Sequence, residues 1–460
     1  MKVLQFCNKS PYPAKEGGSI AMHGITKLLL GCGHEVKVIA ANTHKYNVSI
    51  EDIDLQYRDS TNIDLVWIDT RLSITGAIKA LLNGRSYHVE RFRSKRLEEH
   101  LIEYLGQYEV DVIIFETIYL ADYIDIIRKH SNARLILRAH NIEHKIWERV
   151  SMNAPWGLKK IYLNILARQL RRFEETVVNN FDSIWCISGV DSEWFIENTD
   201  KISVDVIPFG LDDDDNEDSG INFNIDINNF DEKVIDLKSN VEELNSWVVD
   251  LKSNVEDLND GVVDLNADIK GFDKNINNFE IRTLFSIGSM DWRPNVEGIE
   301  WFLDEIWDEF HSRHDGIIYK IAGRNMPSDL MRGRKMEGIE IIGEVEDSRE
   351  FMLGNDVLIV PILSGSGIRI KIIEAMWLGR LVFTTRIGVE GIEAKSGIHL
   401  MIADTVEEFL SAMEYCLKNP SRVKEMRYNA RQLMRTTHNN VLIGNKMNKL
   451  LCQESSMVVD

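Results

Sequence analysis

Short apolar runs recur along the first 210 positions and again over the last 180, separated by stretches whose apolar residues return at helical spacing. The runs predict strands at 3–8, 35–40, 65–69, 110–115, 134–139, 183–187 and 204–208. In the second stretch they predict strands at 284–289, 317–322, 339–343, 357–361, 381–385 and 399–403, with helices at 296–313, 369–378 and 405–417. Several runs are rich in Val and Ile without alternation, as expected of strands covered on both faces. Strands alternating with helices predict parallel sheets built from βαβ units. The expected architecture is α/β, with two doubly wound domains at 1–210 and 281–425. A C-terminal helix within 426–460 is expected to cross back to the first domain. A cleft between two such domains is the natural ligand site.

Residues 211–280 follow another rule. An acidic run containing Asp212-Asp213-Asp214-Asp215 leads into a repeat in which Val234-Ile235-Asp236-Leu237-Lys238-Ser239-Asn240-Val241 returns as Val248-Val249-Asp250-Leu251-Lys252-Ser253-Asn254-Val255. The repeat length is two heptads, and apolar residues step by four and three from Phe223 to Phe279. β-Branched residues at a and Leu or Phe at d favour a parallel two-stranded coiled coil, so 223–279 would join a homodimer or bind a partner protein. A helical hairpin packed on its own domain and a low-complexity linker fit the same period, because Gly261 and Gly271 weaken a helix.

The net charge of −20 sits mostly in this segment, where 5 Lys/Arg face 20 Asp/Glu. The remainder is near neutral and offers no broad basic face for nucleic acid. Five scattered cysteines without a CxxC pair predict neither a disulfide framework nor a zinc site, and fit a reducing cytoplasm. No apolar run reaches the ~18 residues of a membrane span. The basic amphipathic stretch 157–173 reads in two ways. Its apolar face belongs to the core, or it lies on anionic lipid at the inner membrane surface.

Chemistry concentrates in Pro361-Ile362-Leu363-Ser364-Gly365-Ser366-Gly367-Ile368-Arg369-Ile370-Lys371-Ile372-Ile373-Glu374-Ala375-Met376-Trp377-Leu378-Gly379. A buried strand, a Gly/Ser loop and a helix start follow one another. Backbone N–H groups of such a loop and the positive end of the helix form a diphosphate site. Arg369 and Lys371 would stabilise a departing nucleotide diphosphate without a metal. Glu374, one to two turns into the helix, can accept hydrogen bonds from vicinal ribose hydroxyls. In the first half, Arg138-Ala139-His140-Asn141-Ile142-Glu143-His144 follows a strand and should project His140 into the cleft. Gly17-Gly18 joins the first strand to a helix with Ser19 as its expected N-cap. His34 reads as structural.

The 361–379 string resembles the donor-site signature of the retaining glycosyltransferases of family 4, and the resemblance covers the chain apart from 211–280. It implies the GT-B fold, two Rossmann-like domains here separated by a heptad-repeat insert. It implies transfer of a sugar from a nucleotide diphosphate sugar to a saccharide or lipid-linked saccharide acceptor, with retention and with no metal or other cofactor. Of the family's two glutamates, Glu374 matches the second, and the first falls on Ser366 in a Gly-Ser-Gly form that some relatives share. Phe285-Ser286-Ile287-Gly288-Ser289 resembles the first loop of the donor domain, and Ile342-Gly343-Glu344-Val345 the turn beside the base. Ile387-Gly388-Val389-Glu390-Gly391-Ile392 resembles the turn after the helix. The family's phosphate-holding Arg and Lys commonly come from the Gly288 loop, and with Met290 and Asn295 there the role falls on Arg369 and Lys371.

By the same resemblance His140 lies beside the transferred sugar, and the Gly18 loop faces the donor phosphates. Gly18, Gly288, Gly343, Ser366, Gly367, Glu374 and Glu390 are the expected donor contacts. Asn141 and Glu143 are the expected acceptor contacts. Two rival functions fit the same features: a two-domain sugar-nucleotide epimerase, and a non-catalytic scaffold working through the heptads.

Overall fold

In the computed structural model, which describes residues 1–14, 16–200, 202–212, 280–328, 330, 332, 334, 337–365 and 367–453, the chain builds two wholly parallel sheets. The heptad segment 223–279 and Ser366 lie outside the described residues. The strands of the first sheet are β1 (Lys2–Cys7), β2 (Glu35–Thr43), β3 (Asp64–Ile68), β4 (Val112–Phe115), β5 (Arg134–Ala139), β6 (Ser183–Cys186) and β7 (Ser203–Val206). Their order is β3-β2-β1-β4-β5-β6-β7. Val3 is therefore in register with Val36 on one side and Val112 on the other. Alternate β1 residues enter two separate cores. Leu4 and Phe6 pack with Ile113, Phe115 and Leu137, whereas Val3 and Cys7 pack with Val38, Ile114 and Trp185. That two-sided burial accounts for the unbroken apolar runs.

The second sheet holds β8 (Thr283–Ile287), β9 (Ile318–Ala322), β10 (Ile339–Gly343), β11 (Val357–Val360), β12 (Leu381–Thr384) and β13 (Met401–Ile402), in the order β10-β9-β8-β11-β12-β13. Each sheet reverses its winding once, between β1 and β4 and between β8 and β11. Ligands of open α/β sheets bind outside the strand ends at such reversals. The predicted helix at 296–313 is interrupted: Arg293–Phe302 and Asp308–Arg313 are α-helical, and Leu303–Trp307 between them is a wider π turn.

The described residues of 1–212 and 281–453 form one compact unit. The chain leaves the first sheet beside the segment that returns from the second. The Leu211 amide donates to His438 O at 2.7 Å, and the Asn440 amide donates to Leu211 O at 3.0 Å. A Cβ at Gly210 would stand 2.0 Å from Asn440 Oδ1, so a larger residue at this crossing would have to displace the Asn440 side chain. The helix Asn440–Gln453 then packs on the first domain, burying Ile443, Met447 and Leu451 in the core that contains Val3. All five cysteines are free. No helix among the described residues is long and apolar enough to cross a membrane.

Candidate active site

The carboxyl ends of β1, β4 and β5 supply one wall of the site. Glu116 follows β4 directly and is buried, as are Gln5 of β1 and Arg138 of β5. Gln5 Nε2 donates to Glu116 Oε1 at 2.6 Å, and Arg138 Nη1 donates to Glu116 Oε2 at 3.0 Å. His140 Nε2 lies 2.8 Å from the same Oε2. A neutral imidazole satisfies this carboxylate by donating from Nε2, which leaves Nδ1 as an acceptor. Burial would raise the Glu116 pKa, but Arg138, His140 and Gln5 together hold it below the usual carboxylate value. Burial lowers that of His140, and the Arg138 charge lowers it further. A narrow cavity of about 10 Å³ lies against His140, lined also by Glu116, Thr117, Asn141 and Glu143.

Glu143 opens the helix Glu143–Asn153, whose first amides are satisfied by a carboxylate from elsewhere in the fold. Buried Glu174 accepts the Glu143 and His144 amides at 3.1 and 3.0 Å and pairs with His144 Nδ1 at 2.6 Å. A negative charge at a helix N-terminus is favourable. Glu143 itself accepts the Tyr119 hydroxyl at 2.6 Å, and burial pushes its carboxyl up to about 7.

On the facing wall, glycines with positive φ end successive strands: Gly288 after β8, Gly323 after β9 and Gly343 in β10. The Gly323 amide donates to Gly343 O at 2.6 Å, and a Cβ at Gly323 would stand 1.9 Å from Gly288 O. Backbone thus lies bare along this rim. Lys371, from the helix Ile370–Trp377, reaches the Gly288 loop and donates to Ile287 O and Asn295 Oδ1, both at 2.8 Å. A Cβ at Gly288 would meet that ammonium at 3.0 Å. Burial and then the nearby Arg369 charge bring the Lys371 pKa down to about 7.

Arg369 is the N-cap of this helix and only 4% exposed. Its guanidinium lies 5.4 Å over the Trp292 ring, and none of its three nitrogens has a hydrogen-bond partner. A buried cation left this way is expensive unless an anion completes it. Glu374, a turn further on, has its pKa raised by burial, with Arg349 acting in the opposite sense.

The two walls touch. A Cβ at Gly367 would come 2.6 Å from Asn141 Oδ1, and one at Gly17 would lie 3.6 Å from Ile370. Arg149 binds both oxygens of Glu390, at 2.7 and 2.5 Å, and donates to Gly365 O at 2.9 Å. Glu390 was expected at the donor; here Arg149 holds both of its carboxylate oxygens. Ser19 is not the helix cap. The helix Gly17–Gly31 is preceded by N-cap Glu16, whose amide donates to the Ser19 hydroxyl at 3.1 Å, so both glycines lie in its first turn. His34 is buried, with Nδ1 3.4 Å from the N-terminal amine.

Sequence reasoning missed Glu116, Arg149 and Lys9. Lys9 Nζ pairs with Glu16 at 3.0 Å and would lie 3.1 Å from a Cβ at Gly18. Glu116 had a legible signal, a lone carboxylate at the carboxyl end of an all-apolar strand.

The fold is that of the GT-B glycosyltransferases: two parallel Rossmann-like sheets facing one cleft, with a C-terminal helix crossing back to the first. Residues 281–419, which carry β8 to β13 and the Arg369 helix, match the family described as Glycosyl transferases group 1. Over 93% of its length the chain is 22% identical to an uncharacterized 44.6 kDa protein in the cps region of Klebsiella pneumoniae, of which it covers 94%. Among solved structures it resembles HepE of Anabaena in complex with UDP-glucose, with TM-score 0.56 and 11% identity over 98% of this chain and 99% of that one. It also resembles WaaG, a glycosyltransferase of lipopolysaccharide biosynthesis, with TM-score 0.59 and 13% identity over 98% and 100%. A third likeness is to sucrose-phosphate synthase of Thermosynechococcus elongatus, with TM-score 0.61 and 12% identity over 99% and 100%.

Proposed function

We propose that this protein moves a hexose-type sugar from a UDP- or GDP-sugar to a saccharide or lipid-linked saccharide acceptor, retaining the anomeric configuration and using no metal. The observation that carries this reading is the buried, unpartnered Arg369 guanidinium at the mouth of a helix, with Lys371 beside it. A nucleotide diphosphate supplies the missing anion, and both cations stabilise its charge as the glycosidic bond breaks. Glu374 is set to accept ribose hydroxyls, and the bare rim at Gly288 and Gly343 lets the nucleotide approach backbone. HepE, solved with UDP-glucose, supports a uridine donor. His140 accepts a hydroxyl of the transferred sugar through Nδ1, and Asn141 and Glu143 face the acceptor. The leaving diphosphate takes the acceptor proton on the face it departs from. The reaction takes place in the cytoplasm.

A panel of nucleotide sugars, read first by thermal shift and then by product NMR, tests this. Binding to the native state raises the melting temperature. An inverted product rejects the retaining mechanism, and an epimerised donor without transfer makes the protein an epimerase. No donor response, together with an unaltered cellular role for His140→Ala and Glu374→Ala, makes it a scaffold. The heptads support a further role for 223–279 as an association element. Its deletion behind a short linker should keep donor binding and lower the mass seen by light scattering.

A further inference from the structure

We infer that the first domain docks on an anionic lipid bilayer, through the outer faces of the helices Ile74–Leu82 and Leu158–Val177. The first helix packs Ala77 and Ala80 against Tyr162 and Leu166 of the second. That contact turns Ile74, Ile78 and Leu82, four residues apart and so on one stripe, away from the core. Ile74 and Leu82 are each 80% exposed and Leu72, just before the helix, 79%. Beside them Trp156 is 90% and Leu158 86% exposed. Large apolar side chains bared this far, in two adjoining segments, mark a contact surface rather than scattered surface residues.

Charge identifies what covers it. Residues 70–89 and 150–173 contain no Asp or Glu, in a chain with 73 acidic residues, and Lys79, Lys159, Lys160, Arg168 and Arg172 there lie outside the ion pairs at the edge. On the second helix Ile161, Ile165, Arg168 and Arg172 fall on one stripe with Leu158. The carboxylates at the edge are already engaged: Asp69 by Arg71, Glu90 by Arg85, and Glu148 and Glu175 by Arg171. A second copy docking face to face would set these cations against each other with no carboxylates to match. Apolar side chains among cations instead suit acyl chains beneath anionic headgroups. The helix Glu143–Asn153 leads from the His140 cleft to this face, and its 11 residues span roughly 16 Å. A lipid-linked acceptor lying in the bilayer would thus meet the acceptor side of the site. This last step rests on the proposed acceptor class, whereas docking itself does not.

The test is flotation of the full chain with vesicles of phosphatidylcholine alone, or of phosphatidylcholine with phosphatidylglycerol. The protein should float with the anionic vesicles and be released by molar salt. Leu72→Ser/Ile74→Ser/Ile78→Ser/Leu82→Ser alters only exposed positions, so it should melt like the parent yet partition at least ~10-fold less. Lys159→Gln, Arg168→Gln and Arg172→Gln should each weaken anionic binding about fivefold. The proposal is overturned if the parent ignores anionic vesicles at low salt, or if the serine variant floats like the parent. It also falls if this face instead drives a dimer, seen by light scattering, that the serines abolish without any vesicle binding. Nucleotide-induced thermal shift, read on the same samples, reports the donor site separately, so loss of docking is distinguishable from loss of the enzymatic reading.

Discussion

Glu116 Oε2 stands 2.8 Å from His140 Nε2 and 3.0 Å from Arg138 Nη1, so one buried carboxylate both orients the imidazole and neutralises a buried guanidinium. The two tasks separate on mutation. Glu116→Gln leaves the Arg138 charge unmatched and should destabilise the protein by about 3–5 kcal/mol. His140→Ala leaves the Glu116–Arg138 pair intact; it should cost far less stability, yet lower kcat by about a hundredfold or more while nucleotide binding persists. Chemical denaturation beside steady-state kinetics decides the matter. A Glu116→Gln protein as stable as its parent would show that Arg138 is neutralised by something else.

What the sequence revealed and what it hid follow from distance along the chain. The 361–379 string carries a strand, a loop and a helix start in nineteen consecutive positions, so Arg369, Lys371 and Glu374 could be placed by local rules alone. Central strands such as β4, β11 and β12 were equally legible, because they are buried on both faces. Glu116 and His140 meet only because β4 lies beside β5, with Phe115 opposite Leu137. Nothing near Glu116 in sequence predicts that neighbour. Arg149 and Glu390 are 241 residues apart, and their pairing depends on how the two sheets pack. That is why Glu390 was read from its own turn and Arg149 went unnoticed. Ser19 shows the same limit at close range. It is not the N-cap, because the helix begins two residues earlier; as the third helical residue it instead accepts the amide of the N-cap Glu16.

Arg369 gives a prediction with an unusual sign. Its guanidinium is buried and unpartnered, and burial lowers its pKa to about 10. Arg369→Met keeps much of the packing over Trp292 and removes a buried charge that Glu390, already held by Arg149, offsets only in part. The ligand-free protein should melt higher than the parent, while nucleotide diphosphate binds about a hundredfold more weakly. Calorimetric titration with UDP and GDP, beside thermal melts without ligand, checks both halves. A variant that melts lower and binds as before would mean the arginine is a structural residue.

Lys371 should make donor affinity depend on pH. Its pKa is about 7 in the free protein, through burial first and Arg369 second. A bound diphosphate favours the ammonium and so raises that pKa. Above pH 7 the free lysine is increasingly neutral and must take up a proton to bind. Affinity should therefore fall as pH rises from 7 to 9, by up to about tenfold per pH unit. Titration at pH 8 in two buffers of different ionisation enthalpy should reveal proton uptake on binding. Lys371→Met should abolish both the uptake and the slope.

Glu143 supplies the opposite case, a pH dependence of stability without ligand. Burial raises its carboxyl to about 7 from an ordinary 4.5, with Glu174 reinforcing the shift and the Tyr119 hydroxyl opposing it. Between these values the unfolded chain releases the proton and the folded chain keeps it. The penalty is therefore absent below about pH 4.5, grows as pH rises to about 7, and is constant above. Glu143→Gln removes the titration and still accepts the Tyr119 hydroxyl. At pH 8 it should exceed the parent in stability by about 2–3 kcal/mol, and by pH 4.5 the difference should vanish. Urea unfolding of both proteins at the two pH values measures this. An advantage of equal size at both would place its origin in packing and remove the buried proton from the acceptor side of the cleft.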